Sequence, residues 1–195
     1  MTNTQKTAQT SVPISEGIAN RFSPRVYDPS HTISDQEVAR LAEAARWAPS
    51  GNNGQPWRFA FLKRDEPVFQ VIAETGLSGF NKSWAPHASL FVVAFADKLK
   101  GDGSSIDRHA SYFNNALATA QIVLEAEAIG LKSHYMGGID HEEILRIFGI
   151  EDAWVTCVIS VGALGDPAGA SEALQQREAA PRERKPLSEI LVSAS

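Results

Sequence analysis

Hydrophobic residues at helical spacing occur in several parts of the chain, bounded by residues that start or end helices. Ser34-Asp-Gln-Glu37 has the form of a capping box and precedes one such stretch. The apolar face that follows consists of Val38, Leu41, Ala42 and Ala45. This helix is expected to end near Pro49, in a loop that runs to Pro56. A longer helix is predicted over residues 106–129, closed by Gly130, and its alanine-rich face would let another helix approach closely.

Strand patterns alternate with these helices. Residues 57–62 alternate bulky with smaller or polar side chains, and residues 89–96 form a continuous apolar run typical of a strand covered on both faces. Further strands are predicted around residues 131–136 and around Cys157, with short helices at residues 67–74 and 141–148. The polar stretch 166–185 is predicted to be irregular or to form a helical turn. Because helices and strands alternate, the fold class is α/β or α+β.

The composition fits a single globular domain. The chain has 195 residues, of which 43% are hydrophobic, and this is enough for a sizeable core. Residues 1–13 are mostly polar and rich in threonine and glutamine, and we predict a flexible N-terminal tail there. Residues 14–195 are predicted to form one domain, since no repeat or internal boundary is visible.

Charge and cysteine content exclude several classes of function. The formal net charge of -5 argues against the broad basic face that nucleic-acid binding needs. The single cysteine, Cys157, lies in an apolar run and is interpreted as a packed core thiol, so one chain cannot build a disulfide framework or a thiolate zinc cage. The five histidines lack metal-type spacing, and no metal site is predicted. No signal-like or membrane-spanning segment is found, so no membrane partner and a cytoplasmic location are expected.

Two segments near the N-terminus carry candidate ligand-binding chemistry. Arg21 and Arg25 flank Ser23, and two guanidinium groups with a hydroxyl suit a phosphate, although a solvated arginine pair near a turn is the simpler interpretation. The loop from Pro49 to Trp57 offers several amide groups, which suit the polar edge of a flat heteroaromatic ring. The same residues also form ordinary tight turns, and the pattern alone does not separate the two.

Two further segments lie in the second half of the chain. Arg182-Glu-Arg184-Lys185 is either a phosphate clamp or a solvated basic tail. Gly137-Gly138, at the end of a predicted strand, allows close approach of a ligand but also suits a tight turn. No nucleophile elbow, phosphate loop, dinucleotide fingerprint or paired carboxylates are found. An organic cofactor is therefore the expected source of any catalysis, and no side chain is assigned a catalytic role.

Taken in order, these segments resemble the FMN-dependent nitroreductase family from about residue 19 to residue 192. Arg21-Phe-Ser-Pro-Arg25 is similar to the family's Arg-x-Ser-x-Arg/Lys opening, and Ala48-Pro-Ser-x-x-Asn53-x-Gln55-Pro-Trp57 is similar to its most recognisable signature. Phe80-Asn81, Gly137-Gly138 and Arg182-x-Arg184-Lys-Pro-Leu187 match three further family segments. Five motifs in family order make the resemblance strong.

The resemblance implies an α+β fold with a central, mostly antiparallel sheet flanked by helices, in an intertwined homodimer that shares two flavin mononucleotide (FMN) sites. It implies these cofactor-binding residues from one chain: Arg21, Phe22, Ser23, Arg25, Asn81, Met136, Gly137, Gly138, Arg182 and Arg184. It implies that the partner chain contributes Pro49, Ser50, Gly51, Asn53 and Gln55.

The resemblance also implies a role for several of these residues. Arg21, Ser23 and Arg184 would hold the FMN phosphate, and the cation of Arg25 would stabilise negative charge at the pyrimidine end of the reduced ring. Asn81 would hydrogen-bond the polar edge of the ring. A backbone N–H group of the two strand-end glycines would face the reactive flavin nitrogen, N5.

The chain departs from the family pattern at one position near the flavin. Trp84 stands where some members have a lysine, so the electrostatics of the ring would depend more on Arg25. Phe80, Trp84 and Phe113 are candidate substrate-pocket residues, although core packing is an equal alternative for the first two. The short region after Lys100 implies a reduced lid.

The main functional hypothesis is an FMN-dependent oxidoreductase that uses NADH or NADPH to reduce nitroaromatic, quinone or similar electron-poor acceptors. In this ping-pong reaction NAD(P)H would deliver a hydride to FMN and leave before the acceptor binds. The protein would bind, orient and set the electric field, so an acid–base pair is not required. The alternatives are a flavin-binding dimer without turnover, acting as a carrier or sensor, and a specialised family reductase such as a dehalogenase or an aldehyde reductase.

Overall fold

The computed structural model describes residues 6–192, which form a four-stranded antiparallel sheet with helices on both faces. The strands are β1 (Trp57–Lys63), β2 (Leu90–Asp97), β3 (Lys132–Met136) and β4 (Ala153–Gly162). Their order across the sheet is β1-β2-β4-β3, and every neighbouring pair is antiparallel. The α+β alternative and the antiparallel sheet are confirmed, and β1 and β3 are the two edges.

Seven α-helices surround this sheet within the described residues. They are α1 (Glu16–Asn20), α2 (Asp35–Arg46), α3 (Pro67–Val71), α4 (Arg108–Ala128), α5 (His141–Phe148), α6 (Glu172–Ala179) and α7 (Leu187–Ile190). The capping box of α2 is present, since Ser34 Oγ accepts the Glu37 N–H and the Glu37 carboxylate accepts the Ser34 N–H. The helix predicted over residues 67–74 instead divides into α3 and a π-helical turn, Ile72–Gly76.

Within the stretch 166–185, predicted to be irregular or to form a helical turn, the structure has a longer helix, the eight residues of α6. Its polar sequence has little helical periodicity, but Leu174 and Glu178 lie on one side and are buried against the domain. Tertiary contacts therefore stabilise a helix that the local pattern does not indicate.

Two hydrophobic layers cover the sheet. On one face, Leu41 of α2 and Ile122 of α4 pack in one cluster with Val92 of β2. On the other face, Phe91 of β2 packs in a second cluster that includes Trp84. Seven of the eight β2 residues are fully buried, as the continuous apolar run predicts.

The N-terminal residues that the structure describes contact the domain. The Nζ group of Lys6 donates to the Ala180 carbonyl, and the Ala8 N–H donates to the Ala19 carbonyl at 2.8 Å. Residues 1–5 of the predicted tail lie outside the described residues, and the domain boundary at residue 14 stays a prediction. In the part of the chain that the structure covers, no helix has the length and hydrophobicity to cross a bilayer.

Candidate functional site

The segment from Arg21 to Arg25 is extended, and this conformation sorts its side chains onto two faces. Phe22 and Pro24 are buried, whereas Ser23 is exposed and both arginines are partly exposed. Because side chains alternate along an extended chain, the two arginines and the serine share one outward face. Arg21 Nη1 lies 3.5 Å from Ser23 Oγ. The spacing that the sequence offers as a phosphate site is thus realised as a single surface.

This segment runs beside β3 and in the same direction. The ammonium group of Lys132 lies 5.2 Å from the centre of the Phe22 ring, and His134 Nδ1 lies 2.8 Å from the Pro24 carbonyl oxygen. Phe22 thus lies beside Lys132 and Pro24 beside His134, so both chains advance by two residues in the same direction. Arg25, the next residue, lies toward the end of β3 that leads into the two predicted glycines, while the other arginine lies toward its start.

A third arginine, Arg182, lies close to the phosphate end of this surface. Its Nη1 donates to the Ala19 carbonyl at 2.6 Å and also to the Lys6 carbonyl. Burial lowers the pKa of Arg182, and the positive charges of Arg21 and Arg184 lower it further. The three predicted phosphate-end arginines are thus close enough to repel one another, and a dianionic phosphate would relieve that repulsion.

His134 supports the segment from beneath. It is 9% exposed, and its pKa is lowered to about 4 because burial disfavours the charged ring, with Arg25 and Arg21 adding repulsion. The hydrogen bonds to the Pro24 and Ser23 carbonyls oppose that shift only in part. A neutral ring whose Nδ1–H donates to Pro24 O is the arrangement that fits.

Trp84 lies in the core, in agreement with core packing, one of the two equal alternatives for this residue. The side chain is fully buried, with its ring 4.6 Å from the ring of His134 and 6.3 Å from that of Tyr27. Some family members are expected to have a lysine at this position. Here a large, mostly apolar ring stands in its place, and burial of that ring stabilises the folded chain. Phe80 and Phe113 are 41% and 65% exposed, so both stay candidates for contact with a substrate or a subunit.

The end of β3 and the helical turn around Asn81 form the other end of the site. Asn81 Nδ2 donates to the Gly138 carbonyl at 3.1 Å. A Cβ atom on Gly138 would lie 3.0 Å from that same nitrogen, so the Asn81 side chain would have to shift to accept it. The side chains of Met136 and Phe22 are buried, which leaves only their backbone to face a cofactor.

The loop that follows Ala48 has an unusual backbone. Asn52, Asn53 and Gln55 have φ angles of 52°, 57° and 46°, in the left-handed region that non-glycine residues rarely occupy. Its residues from 51 to 55 are exposed. The N–H group of Gly51 donates to Asn114 Oδ1 of α4 at 2.9 Å, which attaches the loop to the domain. Such strain at exposed polar residues is a common property of ligand-binding loops.

The loop and the other predicted residues lie at opposite edges of the sheet. The loop leads directly into β1, whereas the segment with Arg21 and the pair Gly137-Gly138 lie at β3. Three strand spacings of about 4.8 Å separate these edges. No hydrogen bond among residues 6–192 joins the two groups. One chain therefore does not bring all the predicted cofactor residues together.

A cleft lies beside the predicted ring end of the site. It has a volume of about 700 Å³ and is open to solvent. It is lined by Arg25, Tyr27, Ser83 and His87, and by residues between Leu164 and Leu174. Arg25 is the predicted cofactor residue that lines it. Since the predicted residues are divided between two sheet edges, a single chain is not expected to enclose the whole site.

Sequence reasoning missed two buried residues, His134 and Glu178, that hydrogen-bond the backbone of the segment from Arg21 to Arg25. Oε1 of Glu178 accepts the Arg25 N–H at 2.6 Å, 153 positions away in the chain. A polar residue in the middle of a short strand is a signal that could have identified His134. Glu178 carries no such signal, because it resembles the other charged residues of α6. No cluster of three or more metal-binding side chains occurs among the described residues.

Comparison with known proteins identifies the family. The nitroreductase family model matches residues 18–163. An Archaeoglobus fulgidus protein, provisionally named an NADH dehydrogenase/NAD(P)H nitroreductase, is 33% identical over 77% of this chain and 83% of its own. The oxygen-insensitive NADPH nitroreductase of Helicobacter acinonychis is 26% identical over 85% of this chain and 89% of its own. A crystal structure described as an oxidoreductase containing FMN superposes with a TM-score of 0.89 at 27% identity, covering 100% of this chain and 98% of that one. The chain belongs to the nitroreductase family.

Proposed function

We propose that this chain is an FMN-dependent oxidoreductase that uses NADH or NADPH to reduce nitroaromatic, quinone or similar electron-poor acceptors by a ping-pong mechanism. The observation that carries the proposal is the single outward face formed by Arg21, Ser23 and Arg25 beside β3. It places two arginines in line with the glycines at the end of the strand. The names of relatives, which include NADPH nitroreductase and NAD(P)H-flavin oxidoreductase, support the same activity.

The residues at the two ends of this face fit the two ends of FMN. At one end, the mutually repelling arginines Arg21, Arg182 and Arg184 favour a phosphate, with Ser23 Oγ as a further donor. Because Arg182 already donates to two backbone carbonyls, it orders the cluster. Arg184 is more exposed, and since only its Nη1 donates to the Glu183 carbonyl, at 2.6 Å, it keeps further N–H groups for the phosphate.

The ring end has complementary features. Arg25 supplies a cation near the pyrimidine edge, Asn81 supplies an amide, and the absence of a Cβ on Gly138 leaves room for that amide. When bound, FMN supplies hydride transfer from NAD(P)H to the acceptor. The chain itself binds and orients the cofactor and fixes positive charge beside it, and the backbone N–H groups of residues 137 and 138 are the donors available to N5.

A homodimer with shared sites follows from the separation of the loop from β3. Pro49, Ser50, Gly51, Asn53 and Gln55 are assigned to the flavin site of the partner subunit, because their own chain holds them at the far edge of the sheet. The surface of α4 supports a subunit contact, since Phe113, Ala116 and Ala120 are exposed along it. Trp47, which is 73% exposed at the end of α2, is a further large apolar side chain available for such a contact.

Replacement of the phosphate-end arginines tests the cofactor site. Arg21→Ala and Arg184→Ala are each expected to weaken FMN binding about tenfold, and the double variant is expected to purify without yellow colour. Arg146→Ala, which removes an exposed arginine from α5, is the matched control and should keep full flavin content. Full flavin content in the double variant would contradict these assignments.

A panel of acceptors tests the reaction. When the acceptor is varied at several fixed, non-saturating concentrations of NADH or NADPH, nitroaromatics and quinones are expected to be reduced with parallel double-reciprocal plots, the pattern of a ping-pong reaction. Turnover restricted to halogenated phenols or to small aldehydes would replace the broad acceptor range with a specialised reductase. Bound flavin that neither NADH nor NADPH reduces would instead indicate a carrier or sensor.

A further inference from the structure

Glu178 is a buried carboxylate that neither the family motifs nor the proposed reaction uses. It lies on α6, where only Leu174 and Glu178 are buried, while Glu172 and Arg177 on the same helix are exposed. Glu178 is 8% exposed. Removing a carboxylate from water is costly unless hydrogen bonds or opposite charges compensate it. Its burial therefore requires specific partners.

The hydrogen-bond partner of Glu178 lies in the segment from Arg21 to Arg25. Glu178 Oε1 accepts the backbone N–H of Arg25 at 2.6 Å, a short charge-assisted hydrogen bond. No ion pair between these two side chains occurs among residues 6–192. The carboxylate thus fixes the backbone of Arg25 and leaves its guanidinium group available to a ligand.

Helix α6 also reaches the other side of the ring end. The guanidinium group of Arg177 lies over the Phe80 ring, 4.7 Å from its centre, and Phe80 directly precedes Asn81. Burial lowers the pKa of Arg25, and the charge of Arg177 lowers it further, whereas Glu178 acts in the opposite direction. Glu178 therefore offsets part of the positive field produced by these two arginines.

We propose that Glu178 is a positioning residue that fixes Arg25 against the flavin and, through its negative charge, lowers the reduction potential of the bound flavin. The inference rests on the proposed function, because it assumes FMN beside Arg25. A cation beside the pyrimidine ring stabilises the anionic reduced flavin, and a nearby carboxylate weakens that stabilisation. The fold thus adjusts the reduction potential of the flavin through a residue that lies outside the motifs that contact the cofactor.

Two substitutions separate the hydrogen bond from the charge. Glu178→Gln keeps an oxygen that can accept the Arg25 N–H but removes the charge, and Glu178→Ala removes both. Glu172→Gln removes the same charge from an exposed position of the same helix and serves as the control. FMN affinity is measured by fluorescence titration, and the midpoint potential by anaerobic dye equilibration of the FMN-loaded dimer.

Glu178→Gln is expected to bind FMN within about threefold of the wild type, with a midpoint potential more positive than that of both the wild type and Glu172→Gln. Glu178→Ala is expected to bind FMN about tenfold more weakly. A potential for Glu178→Gln equal to that of Glu172→Gln, or an unchanged affinity in Glu178→Ala, overturns the role of Glu178. If the wild-type protein binds FMN and is reduced by NAD(P)H in the same experiment, that failure leaves the proposed function intact. Wild-type protein that takes up no FMN overturns both.

Discussion

The burial of His134 predicts a specific loss of stability in mild acid. In the folded chain its pKa is about 4, against an ordinary value of 6.5, because the ring is removed from water beneath Arg21 and Arg25. Between these pH values the unfolded chain binds a proton that the folded chain excludes. The free energy of unfolding must therefore fall as the pH decreases from 6.5 to 4.

The size of this loss follows from the two pKa values. A pKa shift of one unit corresponds to about 1.36 kcal/mol. A folded pKa of about 4 against the ordinary 6.5 therefore gives a total loss of about 3 kcal/mol in the free energy of unfolding. Above pH 6.5 neither state is protonated, and His134 adds no pH dependence. Below pH 4 both states are protonated, and the loss is complete. The steepest slope is about 1.4 kcal/mol per pH unit.

The assay compares the wild type with His134→Asn by urea unfolding at fixed protein and FMN concentrations from pH 7.5 to pH 4.5. Asparagine places an N–H donor near the position of Nδ1 and can still donate to Pro24, but it does not titrate. Loss of ring contact with Trp84 lowers the stability of the variant at every pH by a similar amount. The pH dependence of the difference, and not its value at one pH, therefore reports on the histidine.

The expected result is a stability gap that narrows as the pH falls below 6.5. At pH 7.5 the wild type should be the more stable protein, and by pH 4.5 it should have lost about 2 to 3 kcal/mol relative to His134→Asn. A difference in unfolding free energy between the two proteins that stays constant from pH 7.5 to pH 4.5 would refute the reasoning. It would mean that His134 is protonated in the folded protein despite its burial.

Three further predictions concern other residues of the site and core. Asn114→Ala removes the side chain that accepts the Gly51 N–H, and it should weaken FMN binding about fivefold with only about 1 kcal/mol lost in urea unfolding; unchanged affinity would show that Asn114 does not position the loop. Gly138→Ala would place its Cβ 3.0 Å from Asn81 Nδ2, so FMN affinity measured by fluorescence should fall by a similar factor, and wild-type affinity would contradict the close packing. Burial raises the pKa of the Cys157 thiol to about 11, so an aromatic disulfide reagent at pH 8 should react only after denaturant is added; fast reaction of the folded protein would contradict this.

Elements that depend on local patterns could be predicted from the sequence. The apolar run of β2 indicates a strand covered on both faces, and Ser34 with Glu37 marks the start of α2, because in both cases the determining interactions are close in sequence. The outward face of Arg21 and Arg25 also follows from their even spacing, once the segment is extended.

Other features depend on contacts between distant parts of the chain. Helix α6 has a polar sequence, and its two inward positions, Leu174 and Glu178, are defined only by the parts of the domain that pack against them. Trp84 lies next to the candidate residues Phe80 and Asn81, yet its ring turns into the core against His134. A sequence pattern does not give the direction of a side chain in an irregular turn, and this is why core packing and substrate contact were equal alternatives for Trp84.

The most direct test of the central claim is anaerobic reduction of the FMN-loaded protein followed by absorbance. Mixing with a small excess of NADH or NADPH is expected to bleach the flavin band near 450 nm (about one reductant per bound FMN), and a quinone added afterwards should restore it. The double variant Arg21→Ala/Arg184→Ala should give no such signal, because it should hold no FMN. A flavin band that persists in the wild type with either reductant would contradict the assignment of this chain as an NAD(P)H oxidoreductase.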